Sequence, residues 1–382
     1  MPDNKPRELV LVGSGHTHIQ VLKAFGEIPP PDCHLTVIVD TPIAIYSGMV
    51  PGFVAGQYRA EELQIDARPL AELAHAEVIV AKALSIDPEK KQIELEGHPP
   101  VPYDLASFNI GSTVIGLDLP GIREYSLPTR PIAGLVGQVD ELIIRAGRHA
   151  SGSPFRVVVV GGGAGGVELA FTLQSRLTQE TSTNIDLTLV TNGPEILTGY
   201  PRSMIKRVYR NAKRRQITIV CQREVVAARA DEVVFRDGET LASDALIWVA
   251  GPVSHPLFTE SGLPVDHRGF VRVRSTLQFE NHDELFGVGD CATFIDYPDT
   301  PKAGVYAVRE GPIITANLRA ALQGQPLTKY KPQGDFLMLI NLGGGTAIGS
   351  KWGFSFEGRW VMNWKDRIDR AFMRLFQIPP VA

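Results

Sequence analysis

The run Val157-Val158-Val159-Val160-Gly161-Gly162-Gly163-Ala164-Gly165-Gly166-Val167-Glu168 decides the fold. Four consecutive valines read as a strand buried on both faces, as in a parallel sheet. Gly161, Gly163 and Gly166 then match Gly-x-Gly-x-x-Gly. In that pattern the first glycine permits a tight turn and the second lets a pyrophosphate approach the backbone. The third allows the helix to pack closely on the strand. The helix start contributes unpaired N–H groups and a positive dipole toward the phosphates. Asp186-Leu187-Thr188-Leu189-Val190 supplies the next strand of the unit.

The same pattern occurs once earlier. Leu9-Val10-Leu11-Val12 leads into Gly13-Ser14-Gly15-His16-Thr17-His18, a helix with Ile19, Val21, Leu22 and Phe25 on its apolar face, and the strand Leu35–Val39. That strand ends at Asp40, the acid expected about 20 residues past such a loop to accept ribose hydroxyls. His18 stands where the third glycine would be, and a side chain there should push the helix slightly off its strand. His16 and His18 have no third ligand at metal spacing, which points to phosphate or packing contacts and to no metal. One glycine loop is a weak signal; two in strand-to-helix context suggest a protein that holds two dinucleotides at once. An enzyme passing electrons from a nicotinamide to a flavin needs that arrangement.

Bulk properties bound the alternatives. The 382 residues suffice for two or three domains, and 44% hydrophobic with 21% charged residues describes an ordinary globular chain. A formal charge of −4 gives no basic footprint for nucleic acid. Cys33, Cys221 and Cys291 are odd in number and far apart, which argues against a disulfide framework and for a reducing compartment. Met1 to Glu8 contains no apolar leader core, and no stretch is apolar enough to predict a spanning helix, so a cytoplasmic location is expected.

Along the chain, strand-like runs (Val78–Val80 and Gln92–Leu95) alternate with turns and close at Tyr103-Asp104 and Ile110-Gly111-Ser112. Leu119-Pro120-Gly121 to Thr129-Arg130-Pro131 reads as a crossover between domains, followed by a helix over 132–148. Another strand runs from Ala245 to Ala250 into Gly251, and a short one, Leu285–Val288, stops on Gly289-Asp290. A long helix is expected over roughly 303–323. A carboxylate at a strand end facing a glycine turn can hold the ribityl chain of a flavin. By itself Asp290 would be an ordinary turn residue; two upstream dinucleotide loops favour the flavin role.

Taken together, Gly13 to His18 with Asp40, Tyr103-Asp104, Gly111-Ser112, the Gly161–Ala170 run, Trp248-Val249-Ala250-Gly251 and Gly287-Val288-Gly289-Asp290 resemble the pyridine nucleotide–disulfide oxidoreductase superfamily. Within it the chain is similar to the type II NADH dehydrogenase branch. The runs Val12–His18, Tyr46-Ser47-Gly48-Met49-Val50-Pro51-Gly52 and Lys302–Arg309 look like a subfamily often fused to selenide, water dikinase. The resemblance implies an α/β chain with two Rossmann-like domains in a glutathione-reductase-like FAD/NAD(P) fold and a short C-terminal extension. It divides the chain into 1–125 and 267–335 for FAD, 126–266 for NAD(P)H, and 336–382 for the extension.

The cofactor contacts implied are Gly13, Gly15, His16, Thr17, His18, Asp40, Pro51, Gly111, Gly289 and Asp290 for FAD, and Gly161, Gly163, Gly166 and Gly251 for NAD(P)H. Glu168, Lys302 and Glu310 are the catalytic candidates: Glu168 near the nicotinamide or as a first-turn acid favoured by the helix dipole, and Lys302 near the flavin's pyrimidine edge. Arg309-Glu310 stands where type II dehydrogenases carry paired glutamines. Thr191-Asn192-Gly193 lacks the acid usual for NAD, while Arg202 and Arg223 are nearby cations, which leaves NADH or NADPH open. The implied activity is hydride transfer from NAD(P)H to flavin and onward electron transfer to a quinone. A selenium- or sulfur-compound oxidoreductase and a slow flavin redox sensor are the alternatives.

In the terminal segment 359–376, Trp360, Trp364, Ile368, Ala371, Phe372 and Leu375 share one helical face, with arginines opposite. A basic helix of that kind over 358–376 fits a membrane surface, peripheral on the inner face. Docking on the FAD domain or on a twin subunit in a homodimer fits equally.

Overall fold

A computed structural model describes residues 6–377 except Pro31, Pro131 and Ser151. The first five residues and residues 378–382 of the expected extension therefore lie outside the described residues. Two sheets organise the chain, a larger mixed one and a smaller parallel one. The larger has eight strands in the order Ala292–Phe294, Val271–Val273, Gln278–Phe279, His282–Gly287, Leu105–Phe108, Arg7–Val12, Cys33–Val39, Glu77–Val80. Its last five strands run parallel, with Val12 beside both Ile38 and Phe108, and Phe108 beside Gly287. The smaller has five parallel strands in the order Ser126–Pro128, Ala245–Trp248, Phe155–Val160, Ile185–Val190, Thr218–Val220.

The valine run explains why Phe155–Val160 is central. Alternate side chains face opposite sides of a strand. Val157 and Val159 join the main core with Val167, Leu169 and Leu173 of the helix Ala164–Glu180. Val158 and Val160 face a second core with Leu246, Trp248, Val233 and Phe235, roofed by the antiparallel strands Val225–Ala228, Glu232–Phe235 and Thr240–Ala242. In the first unit Leu9 to Val12 are all buried, and the helix His16–Glu27 buries Ile19, Leu22 and Phe25. That helix is seated between Gly304–Leu322 and Ala67–Leu73.

The stretch read as a crossover is more structured than a linker. Ile122–Tyr125 forms a helical turn and Ser126–Pro128 becomes the edge strand of the smaller sheet, pairing with Leu246–Trp248. Two chain crossings, Thr113–Val114 outward and Pro252–Val253 back, lie antiparallel between the sheets. The helices expected over 132–148 and 303–323 are Ile132–Gly147 and Gly304–Leu322. The terminal part adds an antiparallel sheet (Met338–Asn341, Ala347–Lys351, Phe354–Gly358) and the helix Arg359–Arg374.

Candidate active site

Parallel strands leave their loops on one edge, and in both sheets the glycine loop lies there. In the smaller sheet the three motif glycines have separate steric reasons. A Cβ on Gly161, whose φ is +139°, would lie 2.4 Å from the Val249 carbonyl oxygen, and one on Gly166 only 1.8 Å from the Gly161 oxygen. A Cβ on Gly163 meets nothing within 4 Å, so this side of the loop is open. Among the described residues no acceptor takes the N–H groups of Gly163, Ala164 or Gly165 at the helix start. An open glycine face beside unsatisfied donors fits a dinucleotide pyrophosphate.

The first loop is built differently, around Asn109. Its side-chain oxygen accepts the N–H groups of Thr17 (3.1 Å) and His18 (3.3 Å), and its amide donates to the Val288 carbonyl (2.9 Å). Cβ atoms on Gly13, Gly15 or Gly289 would each fall within 2.5 Å of Asn109 atoms. Asn109, absent from the sequence-derived candidates, thus joins the glycine loop to the Gly289-Asp290 turn. Its only signal was an amide directly after the strand and two residues before Gly111.

His18 is wholly buried. Its Nδ1 lies 2.7 Å from the Gly13 carbonyl, so Nδ1 carries the proton and Nε2, 2.8 Å away from the Ser107 hydroxyl, accepts. Burial lowers its pKa to about 4. The ring fills the place opened by the missing glycine and points inward, so only the backbone of His18 belongs to the loop edge. Thr17 likewise spends its hydroxyl on the Ala307 carbonyl (2.8 Å). His16 lies at the rim, edge-on to Tyr46 at 5.3 Å and accepting from the Ser47 N–H at 3.4 Å.

Asp40 is exposed at its strand end, where its carboxylate accepts the Thr41 N–H. Asp290 pairs with Arg130 at 2.7 Å, and Arg130 also donates to the Ser112 hydroxyl. Arg130 follows the edge strand of the smaller sheet, so one guanidinium ties the two units together beside the Gly289-Asp290 turn. Gly111 adopts φ +70° with open space at its Cβ position, and Pro51 is buried in the short helix Val50–Val54. Gly251 starts the return crossing, where its carbonyl accepts the Ile115 N–H. An open Gly111 face, Asp40, Asp290 and the loop backbone gathered on one edge fit a flavin dinucleotide.

Three titratable groups stand around these edges. Glu310 is buried and accepts the Gly289 N–H at 2.5 Å; desolvation raises its pKa to about 7. Lys302 donates to the Ala292 carbonyl and lies 4.2 Å from the Phe270 ring centre, with its pKa lowered by burial. Glu168 accepts the Asn341 N–H at 2.7 Å, and desolvation raises its pKa to about 7 against the opposing pull of Lys365. A cavity of about 660 Å³ lies between Thr198–Pro201, Asp296–Pro301 and the terminal segment, with Tyr200, Tyr306 and Phe336 in its wall.

The terminal helix docks by a mixed face, on which Val361, Met362 and Met373 are buried beside Lys365 and Asp369. Lys365 reaches the Gly48 carbonyl (2.6 Å) and Asp369 (2.8 Å), Tyr46 donates to Asp369 (3.2 Å), Tyr58 donates to Asp366 (2.8 Å), and Arg370 pairs with Glu62 (2.9 Å). Of the expected apolar face only Phe372 turns partly inward, stacking on Tyr46 at 4.5 Å. Trp360 (56%), Trp364 (39%), Ile368 (41%) and Leu375 (53%) are exposed, next to Trp352 (77%) and Phe354 (76%) of the adjoining hairpin.

The thiol beside the Gly289-Asp290 turn is not poised as a nucleophile. Cys291 is buried, donates to the Phe108 and Val288 carbonyls, and has its pKa pushed up to about 12. All three cysteines are free.

Two glycine loops at the carboxyl ends of parallel strands in two sheets, one crossing to the other through paired strands, define a protein that binds two dinucleotides. The chain belongs to the pyridine nucleotide-disulphide oxidoreductase family, whose model matches residues 7–311. It is 25% identical to the demethylphylloquinone reductase NdbB of Synechocystis sp., covering 89% of this chain and 86% of that protein. It is 20% identical to the type II NADH:quinone oxidoreductase of Staphylococcus saprophyticus, covering 97% of this chain and 96% of that one. Among solved structures, the sulfide:quinone oxidoreductase of Aquifex aeolicus superposes with a TM-score of 0.78 at 19% identity, over 97% of this chain and 91% of the other. Among the described residues no helix is long and apolar enough to cross a membrane.

Proposed function

We propose that the chain is an FAD-dependent NAD(P)H:quinone oxidoreductase. The observation that carries the reading is the pair of carboxyl-edge glycine loops, one open at Gly163 and one closed around Asn109, with Glu168 on the helix that starts at the open loop. FAD belongs to the first unit, residues 1–125 with 267–335, held by the Gly13–His18 backbone, Asp40, Gly111 and Asp290. NAD(P)H belongs to residues 126–266, held by Gly161, Gly163 and Gly166, with the cavity beside Tyr200 and Tyr306 as its approach. When bound, the flavin supplies the two-electron chemistry that amino acids lack.

The protein's share is position and electrostatics. Arg130 fixes Asp290 and the separation of the two units. Glu310 holds the Gly289 N–H, which sets the turn, and Lys302 keeps a cation beside both. Glu168, with its pKa near neutrality, holds or releases a proton between the open loop and the Lys365–Asp369 pair. The quinone acceptor is supported by the names of the relatives and by the terminal helix. Its docked face touches Tyr46 and Gly48, near the first loop, while its aromatic side faces outward. Residues 336–377 are accordingly a membrane-surface element: the rings of Phe356, Trp360 and Trp364 cluster, each in contact with the other two, and Arg359, Arg367 and Arg374 of the same helix are exposed.

The division of labour is tested by Gly163→Asp, which places a carboxylate on the open loop face. The variant should keep its yellow flavin and, once reduced by dithionite, still be reoxidised by quinone, but NADH should no longer bleach it. Loss of flavin with NADH binding intact would reverse the assignment of the two loops.

A further inference from the structure

We propose that an acid-clamped arginine, Arg223, makes the second unit reject a 2′-phosphate, so that the chain uses NADH and discriminates against NADPH. The inference rests on the reading of that unit as the nicotinamide dinucleotide site.

In dinucleotide folds the turn after the second strand faces the adenosine ribose. An acid there accepts the 2′-hydroxyl, whereas an arginine nearby accommodates a 2′-phosphate. Here the strand Ile185–Val190 ends in Thr191-Asn192-Gly193, with no acid. Arg223 is beside this turn: its N–H donates to the Thr191 carbonyl at 3.1 Å, and the neighbouring Gln222 N–H donates to that of Gly193 at 2.9 Å. By sequence alone this arginine leaves NADPH open as the donor.

Its side chain has another partner. The guanidinium lies 4.4 Å from the centre of the Phe235 ring and pairs with Asp237 at 2.8 Å and Glu239 at 2.5 Å. Both acids sit on the turn between the strands Glu232–Phe235 and Thr240–Ala242. One guanidinium against two carboxylates leaves a negative charge in excess beside the ribose turn. A 2′-phosphate arriving there meets repulsion where an uncommitted arginine would attract it. Arg202, the other nearby cation, is bound to Glu195 at 2.7 Å. The hairpin's other charges, Arg236 with Glu224 and Glu232 with Arg229, form internally neutral pairs. Discrimination therefore comes from two carboxylates borrowed from a different hairpin, in place of one acid on the turn itself. Phe235 would keep Arg223 in position after the carboxylates are neutralised, so the site should be convertible.

The test is calorimetric titration of the flavin-loaded protein with NAD⁺ and NADP⁺ at fixed moderate salt, without turnover. Wild type should bind NADP⁺ at least about tenfold more weakly than NAD⁺. Asp237→Asn combined with Glu239→Gln should narrow that gap by about fivefold or more, chiefly through tighter NADP⁺ binding. Adding Arg223→Ala should reopen it. Glu224→Gln, which removes an acid that holds Arg236 and not Arg223, should move the ratio by less than the double variant does. Equal binding by wild type, an unmoved ratio in the double variant, or an equal shift in Glu224→Gln would overturn the inference. Failure to bind either nucleotide would instead overturn the assignment of the second unit, and this inference with it.

Discussion

Asn109 does at one position what a glycine and a capping residue would do separately. Its carbonyl oxygen closes the start of the helix His16–Glu27, and its amide holds the Val288 carbonyl next to the Gly289-Asp290 turn. It is nearly wholly buried with its polar atoms engaged, so its desolvation is offset. The sequence showed the loop and its missing third glycine but not this remedy, because Asn109 and His18 meet only when two parallel strands bring them together. The carboxylate of Glu168 was legible as a candidate; its raised pKa was not, since desolvation in the folded interior raises it, and Asn341 and Lys365, which oppose the rise, come from the far end of the chain. That pKa carries a signed prediction. A folded pKa of about 7 above the ordinary 4.5 means that the folded state binds the proton more tightly than the unfolded one. The neutral carboxyl's advantage is full below pH 4.5 and is lost as pH rises through about 7. Glu168→Gln should therefore raise the thermal midpoint at pH 8 relative to wild type and have little effect below the ordinary carboxyl range. The same variant should erase an inflection near pH 7 in the rate of flavin bleaching by NADH. A midpoint difference independent of pH, with the inflection retained, would remove Glu168 from both roles.

Among the elements, the terminal helix best shows where periodicity stops being informative. Its spacing identified the aromatic face, but not what lies opposite: hydrophobic pattern alone favours burying the aromatic face, whereas the helix buries Val361, Met362, Lys365, Asp369 and Met373 and leaves Arg359, Arg367 and Arg374 exposed. Lys365 and Asp369 satisfy each other and the backbone of Gly48, and Tyr58 and Glu62 take Asp366 and Arg370. These partners lie some three hundred positions away along the chain, so no local reading could find them. The consequence is that Trp352, Phe354, Trp360, Trp364, Ile368 and Leu375 are all left exposed on the terminal segment, the apolar exposure that marks an interaction surface. Burying such a ring in a lipid interface contributes on the order of 1–3 kcal/mol. Trp352→Ser, Phe354→Ser and Trp364→Ser together should weaken sedimentation with anionic vesicles by well over about tenfold. Flavin reduction by NADH should remain intact. Unchanged vesicle binding would refute the lipid assignment, and a wild-type dimer that dissociates in the triple variant would reassign the patch to a twin subunit.

At the scale of the whole molecule, the two βαβ units and the long helix Gly304–Leu322 were readable from strand runs, glycine loops and an acid at the expected spacing. How they face each other was not. Arg130 bridging to Asp290 and Ser112, and the antiparallel crossings at Thr113–Val114 and Pro252–Val253, arise from contacts between units that local sequence does not encode. This geometry brings the carboxyl edges of both sheets to the two sides of one junction, with Glu168 and the Lys365–Asp369 pair beside it. The central claim is that electrons cross that junction from NADH to flavin and leave to a quinone. The most direct measurement is anaerobic: the flavin-loaded protein is mixed with stoichiometric NADH, then with a short-chain quinone, while the visible flavin absorbance is followed. Rapid bleaching by NADH and full return on adding quinone is the predicted result. Bleaching without return, or no bleaching at all in flavin-loaded protein, would contradict it.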